Sequence, residues 1–417
     1  MLYERWRQIA REFRGETALH DLTRGERWTF AQLAAAGEKD AGASPVIFPQ
    51  GPDFIFTLLR AWHSGRVVCP LEAGQKPSHF ESLPPGCAHL KTTSATGGVL
   101  RVVAFTEEQL AQDADNIVAT MGLRRDWPNL GVISIAHSYG FSNLALPLLL
   151  HGIPLLLVDV PLPEMVRQAA DIAQSITLPA VPALWRVWHE AKSIPKNIRL
   201  AISAGAPLPL MLEKAIFDAC GLKLHNFYGS SECGGIAYDA SATPRTDAAC
   251  AGSPMKNVQL SIGEDGCLEV RGRAVGTTYW PDRNSKMNKG VFYSSDLAEI
   301  RDGFVFLRGR AGDVINVAGR KLSPEEIEKE LLSHPQVREC LVFGAPAEEA
   351  GRGEIIVACI APNGELTRDA LRQFLLERLP AWQVPREWIF IPSLEANRRG
   401  KISRTEWRAR YLAGWRG

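Results

Sequence analysis

The 417-residue chain lacks any excess of charge of one sign: 47 Lys and Arg stand against 46 Asp and Glu, a formal net charge of +1. That removes the electrostatic argument for a nucleic-acid or anionic-membrane partner and suits a small-molecule enzyme, whose positive charge would be local. Its eight cysteines form no CxxC pair, and their spacing fits neither a zinc site nor a disulfide framework. Reduced thiols and a cytoplasmic location are the expectation. The start, Met1-Leu-Tyr-Glu-Arg-Trp-Arg-Gln, has no apolar signal core. The longest apolar stretch, Leu144 to Val158, is interrupted by Pro147, His151, Gly152 and Pro154. It is short of the roughly 20 residues of a membrane span and reads as buried helix and strand. No Walker A Gly-Lys-Ser/Thr occurs near the glycines at 97 and 98, and no internal repeat or low-complexity tract is found.

At this length two or three domains are expected. Short apolar runs bounded by Gly, Pro or polar residues occur at Val46–Phe48, Val67–Cys69, Gly131–Ala136, Pro154–Val158 and Leu200–Ser203. Helical stretches fall between them at Phe54–His63, Glu107–Met121, Glu164–Ser175 and Leu210–Ala219. This alternation argues for an α/β fold with a mainly parallel, helix-covered sheet. After Ala251 the texture becomes antiparallel, with strands at Val258–Ile262, Cys267–Arg271, Leu297–Ile300 and Phe304–Leu307 separated by Gly and Asp turns. Past Gly312 a small α+β unit is expected: a helix from Pro324 capped by Ser323, strands at Glu339–Phe343 and Glu354–Ile360, and a helix at Arg368–Arg378. The boundary is placed at Arg310–Asp313, giving domains 1–310 and 311–417.

Several segments can carry chemistry. Thr92-Thr-Ser-Ala-Thr-Gly-Gly-Val-Leu-Arg101 joins hydroxyls, two glycines and a cation, the makings of a concave anion site or of an ordinary Ser/Thr/Gly turn. His137 lies between a buried run and Gly140. In Asn226-Phe-Tyr-Gly-Ser-Ser-Glu232, Tyr228 offers a flat face, Asn226 a polar edge, Gly229 close backbone approach, Ser230 and Ser231 hydroxyls, and Glu232 a hard carboxylate suited to Mg²⁺. Downstream come Ser294-Ser-Asp296, Arg308-Gly-Arg310, Gly319-Arg-Lys-Leu-Ser-Pro-Glu-Glu-Ile-Glu328 and Asn397-Arg-Arg-Gly-Lys401.

Five such segments in this order resemble the adenylate-forming acyl- and aryl-CoA synthetase superfamily, the AMP-binding enzymes, from about Pro49 to the C-terminus. The resemblance implies a large N-terminal domain with a small antiparallel barrel-like part, and a mobile C-terminal domain. It implies ATP, Mg²⁺ and CoA, or a carrier protein's phosphopantetheine, as cofactors and co-substrates. The phosphate loop would comprise Thr93, Ser94, Thr96, Gly97 and Gly98, with Arg101 in place of the family lysine; Ala95, Gly97 and Leu100 depart from the family pattern. His137 would close the acid pocket with Gly205, Ser230 and Gly234, the small residues behind Glu232 leaving depth for an acyl or aryl group. The absence of an aspartate at His137 favours a simple acid over an amino acid. Gly205 and Ala206 would wall the adenine, Asn226, Tyr228 and Gly229 would bind it, Asp296 and Arg310 would hold the ribose, and Ser230 and Ser231 would lie near the α-phosphate. Glu232 would hold the metal, Gly312 would be the hinge, Gly319 would line the thiol tunnel, and Lys401 would swing in as the catalytic cation.

The expected reaction is ATP-dependent activation of an aryl or fatty acid to an acyl-adenylate and transfer to a thiol, with free CoA the simpler acceptor. Adenylation feeding a carrier protein or closing an amide or lactone stays open. So does a homologue that binds nucleotide without turnover, since the phosphate loop is atypical and the segment before it is short.

Overall fold

The computed structural model describes residues 1–39, 46–47, 51–71, 82–93, 102–281, 285–347, 353–395 and 402–415. Ser94, Thr96, Gly97, Gly98, Arg101 and Lys401 therefore lie outside the described residues.

Among the described residues one 14-stranded sheet runs through the larger part of the chain. Its parallel half is built from Thr17–Asp21, Leu155–Leu157, Asn129–Gly131, Ile176–Ala180, Ile198–Ser203 and Leu224–Ser230. Side-chain alternation along each strand feeds both faces. Leu155 and Leu157 enter the core shared with the helices Pro52–His63 and Glu107–Met121, while Leu156 enters the opposite core with Trp185 and Trp188. Beyond Ser230 the same sheet continues antiparallel through Gly234–Tyr238, Cys250–Pro254, Phe304–Arg310, Val291–Arg301, Cys267–Arg271 and Gln259–Ile262. The strand Leu224–Ser230 is the junction. Leu224–Asn226 pairs parallel with Ala201–Ser203, and Phe227–Ser230 pairs antiparallel with the next strand.

A separate three-stranded sheet places Val102–Phe105 between His89–Thr92 and Thr278–Trp280, all antiparallel. Thr92 stands opposite Val102, so residues 93–101 connect these two strands.

Helix Glu107–Met121 has the bounds its sequence predicts. Thr106 and Gln109 form a reciprocal capping box, and Gly122 ends it at φ +66°. The expected strand Gly131–Ala136 is corrected: pairing runs over Asn129–Gly131, and the following residues leave the sheet. They bring the chain over Gly140, where a Cβ would sit 2.1 Å from the Ser134 carbonyl oxygen. From Ser138 the chain is helical to His151, with a π-helical stretch at Phe141–Ala145. Pro147 supplies no N–H to the carbonyl four residues back, and the Asn129 amide donates to that Asn143 oxygen instead, at 3.2 Å.

The C-terminal part has its own sheet, Val337–Pro346, Glu354–Pro362 and Glu387–Phe390, with apolar clusters on both faces. The helix predicted from Pro324 spans Pro324–Leu332, but Ser323 does not cap it; its hydroxyl donates to the Glu325 carboxylate. The strand Glu387–Phe390 and the helix Arg404–Leu412 go beyond the sequence-based expectation. All eight cysteines are free. Among the described residues no helix is long and apolar enough to cross a membrane.

Candidate functional site

The end of the junction strand gathers the predicted residues. Asn226 donates from its amide to the Cys250 carbonyl at 3.3 Å, which orients the side chain. Ser203 lies in register with Asn226, so the turn bearing Gly205 and Ala206 emerges directly beside it. Gly205 sits at φ +85°, a conformation open to glycine without strain. Tyr228 is held by an acid four strands along the same sheet: its hydroxyl donates to Asp296 Oδ2 at 2.5 Å, while Arg310 Nε donates to Asp296 Oδ1 at 2.9 Å. Burial and then the Asp296 charge push the Tyr228 phenol well above its ordinary pKa, so it stays a hydrogen-bond donor at neutral pH.

The following turn is tightly tied. A Cβ on Gly229 would lie 2.6 Å from the Gly234 carbonyl oxygen, so only glycine fits there unmoved. Ser230 Oγ accepts the Glu232 N–H at 3.2 Å and pairs with Cys233 Sγ at 3.1 Å. Ser138, next to His137, donates its hydroxyl to Ser231 Oγ at 2.9 Å, which joins the histidine segment to this turn. His137 itself is half-buried at the head of the helix. Glu232 Oε1 accepts from the Tyr279 hydroxyl at 2.9 Å, and the Glu232 carbonyl accepts the Gly276 N–H at 2.8 Å. Thr93 is buried immediately after the strand His89–Thr92.

The depth expected behind Glu232 is occupied. A Cβ on Gly234 would meet Asp113 Oδ1 at 2.0 Å, and one on Gly235 would meet Met255 Sδ at 2.4 Å. These glycines admit the neighbouring Asp113 and Met255 side chains rather than opening space.

Gly312 and Gly319 follow Arg310 along the chain. Gly312 is in the short 3₁₀ turn Ala311–Asp313 with open space around its Cα. Gly319, with Ala318, makes the two-residue turn of a hairpin at φ +83° and +50°, so its backbone conformation alone accounts for a glycine.

Three groups were missed by sequence reasoning. Tyr279 contacts Glu232 from 47 residues away. Asp113 and Lys91 form a buried pair behind Gly235, Nζ to Oδ2 3.4 Å. Asp113 carried a readable signal: it falls on the apolar stripe Leu110, Ala114, Ile117 and Met121.

A single carboxylate, partly buried and held on one oxygen by Tyr279, is the donor set of a magnesium bound mostly through nucleotide phosphates and water. Among the described residues no group of three or more His, Cys, Asp or Glu could hold a metal by itself. The residues present fit that kind of shared site.

Residues 81–280 match the AMP-binding enzyme family, and residues 326–401 match the AMP-binding enzyme C-terminal domain. The 2-succinylbenzoate–CoA ligase of Bacillus cytotoxicus is 28% identical over 339 residues, covering 76% of this chain and 68% of the relative. Feruloyl-CoA synthase of an Amycolatopsis species is 27% identical over 401 residues, covering 89% and 80%. The fold matches that of ATP-bound MatB from Rhodopseudomonas palustris with a TM-score of 0.86 at 18% identity, over 99% of both chains. It also matches o-succinylbenzoate CoA synthetase (MenE) from Bacillus subtilis in complex with the acyl-adenylate OSB-AMP, TM-score 0.85 at 20% identity, over 99% and 98%. With both the N-terminal and the C-terminal signatures matched in order, the chain belongs to the AMP-binding, adenylate-forming enzymes.

Proposed function

We propose that this enzyme activates a carboxylic acid, aryl or fatty rather than amino, with ATP and transfers it to the thiol of CoA. The observation that carries the reading is the junction strand, with Tyr228, Asp296 and Arg310 linked on one side of its end and Glu232 on the other. The names of the relatives, a 2-succinylbenzoate–CoA ligase and a feruloyl-CoA synthase, support aryl acids and CoA.

In this reading the adenine lies against Tyr228, with its amino group at the Asn226 edge and the Gly205–Ala206 turn as wall. Asp296, oriented by Tyr228 and Arg310, accepts hydrogen bonds from the ribose hydroxyls. The loop from Thr93, with Ser94, Thr96, Gly97, Gly98 and Arg101, receives the β- and γ-phosphates. The acid sits between His137 and Ser230. Its carboxylate oxygen attacks the α-phosphorus, the bond to the bridging oxygen of pyrophosphate breaks, and an acyl-adenylate forms. Two anions must be brought together for this, so preorganised positive charge is the main catalytic contribution. Arg101 and Lys401 supply it. Magnesium held by Glu232 would neutralise phosphate charge at the same place.

The thiol then attacks the acyl carbon and AMP leaves. A domain of residues 311–417 turning about Gly312 would exchange Lys401 for a thiol channel past Gly319. A second reading, nucleotide binding without turnover, is favoured by the departures at Ala95, Gly97 and Leu100.

ATP–pyrophosphate exchange over a panel of aryl and fatty acids, followed by CoA consumption, tests both. Acid-dependent exchange with CoA-dependent AMP release is expected. ATP binding with no exchange for any acid would move the assignment to the second reading. Exchange without CoA consumption would point to a carrier protein or to amide or lactone closure.

A further inference from the structure

The three-stranded sheet and the Glu232 turn meet at two points, and one of them is a buried ion pair that the proposed chemistry leaves unused. Lys91, Val103 and Tyr279 are in register across the three strands, so their side chains share one face. Tyr279 reaches Glu232. Lys91 reaches Asp113 Oδ2 at 3.4 Å and Ser142 Oγ at 3.3 Å, and its ammonium lies 4.6 Å from the centre of the Phe105 ring. Asp113 completes the link. Its Oδ2 accepts the Ser142 hydroxyl at 2.6 Å and its Oδ1 accepts the Gly235 N–H at 3.1 Å. Lys91 and Asp113 are 3% and 1% exposed.

Stability alone gives little reason for such a pair. Removing two charges from water offsets most of their attraction, and apolar residues of the same shape serve a core equally well. What an apolar replacement would not supply is an acceptor for the Gly235 N–H. Asp113 also touches three separate pieces of the site. Through Lys91 it holds the strand His89–Thr92 that leads into Thr93, through Ser142 the π-helical stretch behind His137, and through Gly235 the turn that carries Glu232.

We propose that Asp113 is a positioning residue, which fixes the Glu232 turn against the phosphate-loop strand by accepting the Gly235 N–H. The proposal rests on the reading of Glu232 and of the loop beginning at Thr93 given above. The acceptor oxygen is the operative feature; the charge of Lys91 balances it.

Two double variants separate acceptor from charge. K91M/D113N abolishes the ion pair and keeps a carbonyl oxygen for Gly235. K91M/D113L abolishes both and keeps the branching at Cγ. The measurements are ATP–pyrophosphate exchange as a function of Mg²⁺ concentration, and thermal melting. Expected is exchange within about threefold of wild type for K91M/D113N. For K91M/D113L a fall of the order of 100-fold is expected, with a higher half-saturating Mg²⁺ concentration and a melting point close to that of the asparagine pair. Equal exchange and equal Mg²⁺ dependence in the two variants would overturn the proposal. If K91M/D113L does not fold, K91M/D113N decides, because loss of exchange in that folded chain overturns it as well. A wild-type chain without exchange for any acid removes the functional reading and this proposal together, whereas an active wild type with indistinguishable doubles removes only the positioning role.

Discussion

Asp296 and Arg310 stand directly opposite each other on neighbouring antiparallel strands, joined Oδ1 to Nε at 2.9 Å, while the other oxygen of Asp296 takes the Tyr228 hydroxyl. The acid that would hold the ribose is thus aimed by a cation and a phenol. Asp296 is mostly buried but Arg310 is largely exposed, and solvent screening of the arginine keeps the pair's contribution to about 0–1 kcal/mol. Asp296→Asn should therefore leave the melting point nearly unchanged. It should weaken ATP binding roughly 10- to 100-fold, the size of a lost hydrogen bond to a charged group. Calorimetric titration with ATP checks this; unaltered affinity would separate Asp296 from the nucleotide.

Tyr279 and Glu232 give a second test. Tyr279→Phe keeps the ring and deletes only the donor to Glu232 Oε1. Exchange should fall by about one order of magnitude with ATP affinity retained, as expected when a carboxylate loses one orienting hydrogen bond. Glu232→Gln should cost more, with a higher half-saturating Mg²⁺ concentration, because the carboxylate that would hold the metal loses its charge. A Tyr279→Phe enzyme with wild-type exchange would show that Glu232 needs no such support.

How much of this was readable depends on whether the partners lie close along the chain. Asn226 to Glu232 is one strand and one turn, so its order survives in the sequence. The helix Glu107–Met121 is announced by Thr106, Gln109 and Gly122, which act within a single turn. Tyr279 could not be found this way: it is one aromatic on a three-residue strand, brought to Glu232 by pairing with Val103. Gly234 was misread for a related reason. A glycine reports that something needs room, and the structure shows that it is the Asp113 carboxylate. Ser323 precedes a proline-led helix as a cap would, yet the adjacent Glu325 carboxylate takes its hydroxyl.

Lys401 lies outside the described residues, and its test is the simplest. Lys401→Ala should abolish acid-dependent exchange and leave ATP affinity in place, because a mobile ammonium acts at the reacting centre rather than at the nucleoside. Equal exchange in the variant would refute its role.

Three residues further on, Arg404 fastens the helix Arg404–Leu412 to the rest of the C-terminal part. It bonds to Asp313 at 2.6 Å, to Glu325 at 2.9 Å and to both oxygens of Glu328 at 2.9 and 3.0 Å, and it donates to the Val342 carbonyl. Burial raises the pKa of Glu328, and the Arg404 charge works against that rise. Removing the shared cation of this partly buried network deletes its charge-assisted hydrogen bonds, at a cost of about 1.5–3 kcal/mol. Arg404→Ala should lower the unfolding free energy by that order. Arg404→Lys should recover only part of it, since an ammonium cannot reproduce the planar fork. Chemical denaturation of the two variants measures both values; full recovery by lysine would reduce the contact to simple charge.

His89 makes the enzyme acid-sensitive in a defined window. It is stacked on Phe141 with ring centres 4.4 Å apart, and its Nδ1 has no hydrogen-bond partner among the described residues. Burial, and then the neighbouring Lys91 charge, hold its pKa down to about 3. An unfolded histidine titrates near 6.5. Between these values the unfolded chain binds a proton that the folded chain refuses, so stability rises with pH across the window and this contribution is flat above about pH 7. At pH 5 the penalty is about 2 kcal/mol, 1.5 units at roughly 1.4 kcal/mol each. His89→Leu removes the titrating group and sacrifices no Nδ1 hydrogen bond. Urea unfolding of wild type and variant at pH 5 and pH 8 should show the wild type losing about 2 kcal/mol more than the variant on acidification. The other titrating groups are common to both proteins and cancel in the difference. Parallel losses would mean that a proton reaches the imidazole in the folded state, and that the space between Phe141 and Lys91 is open to water.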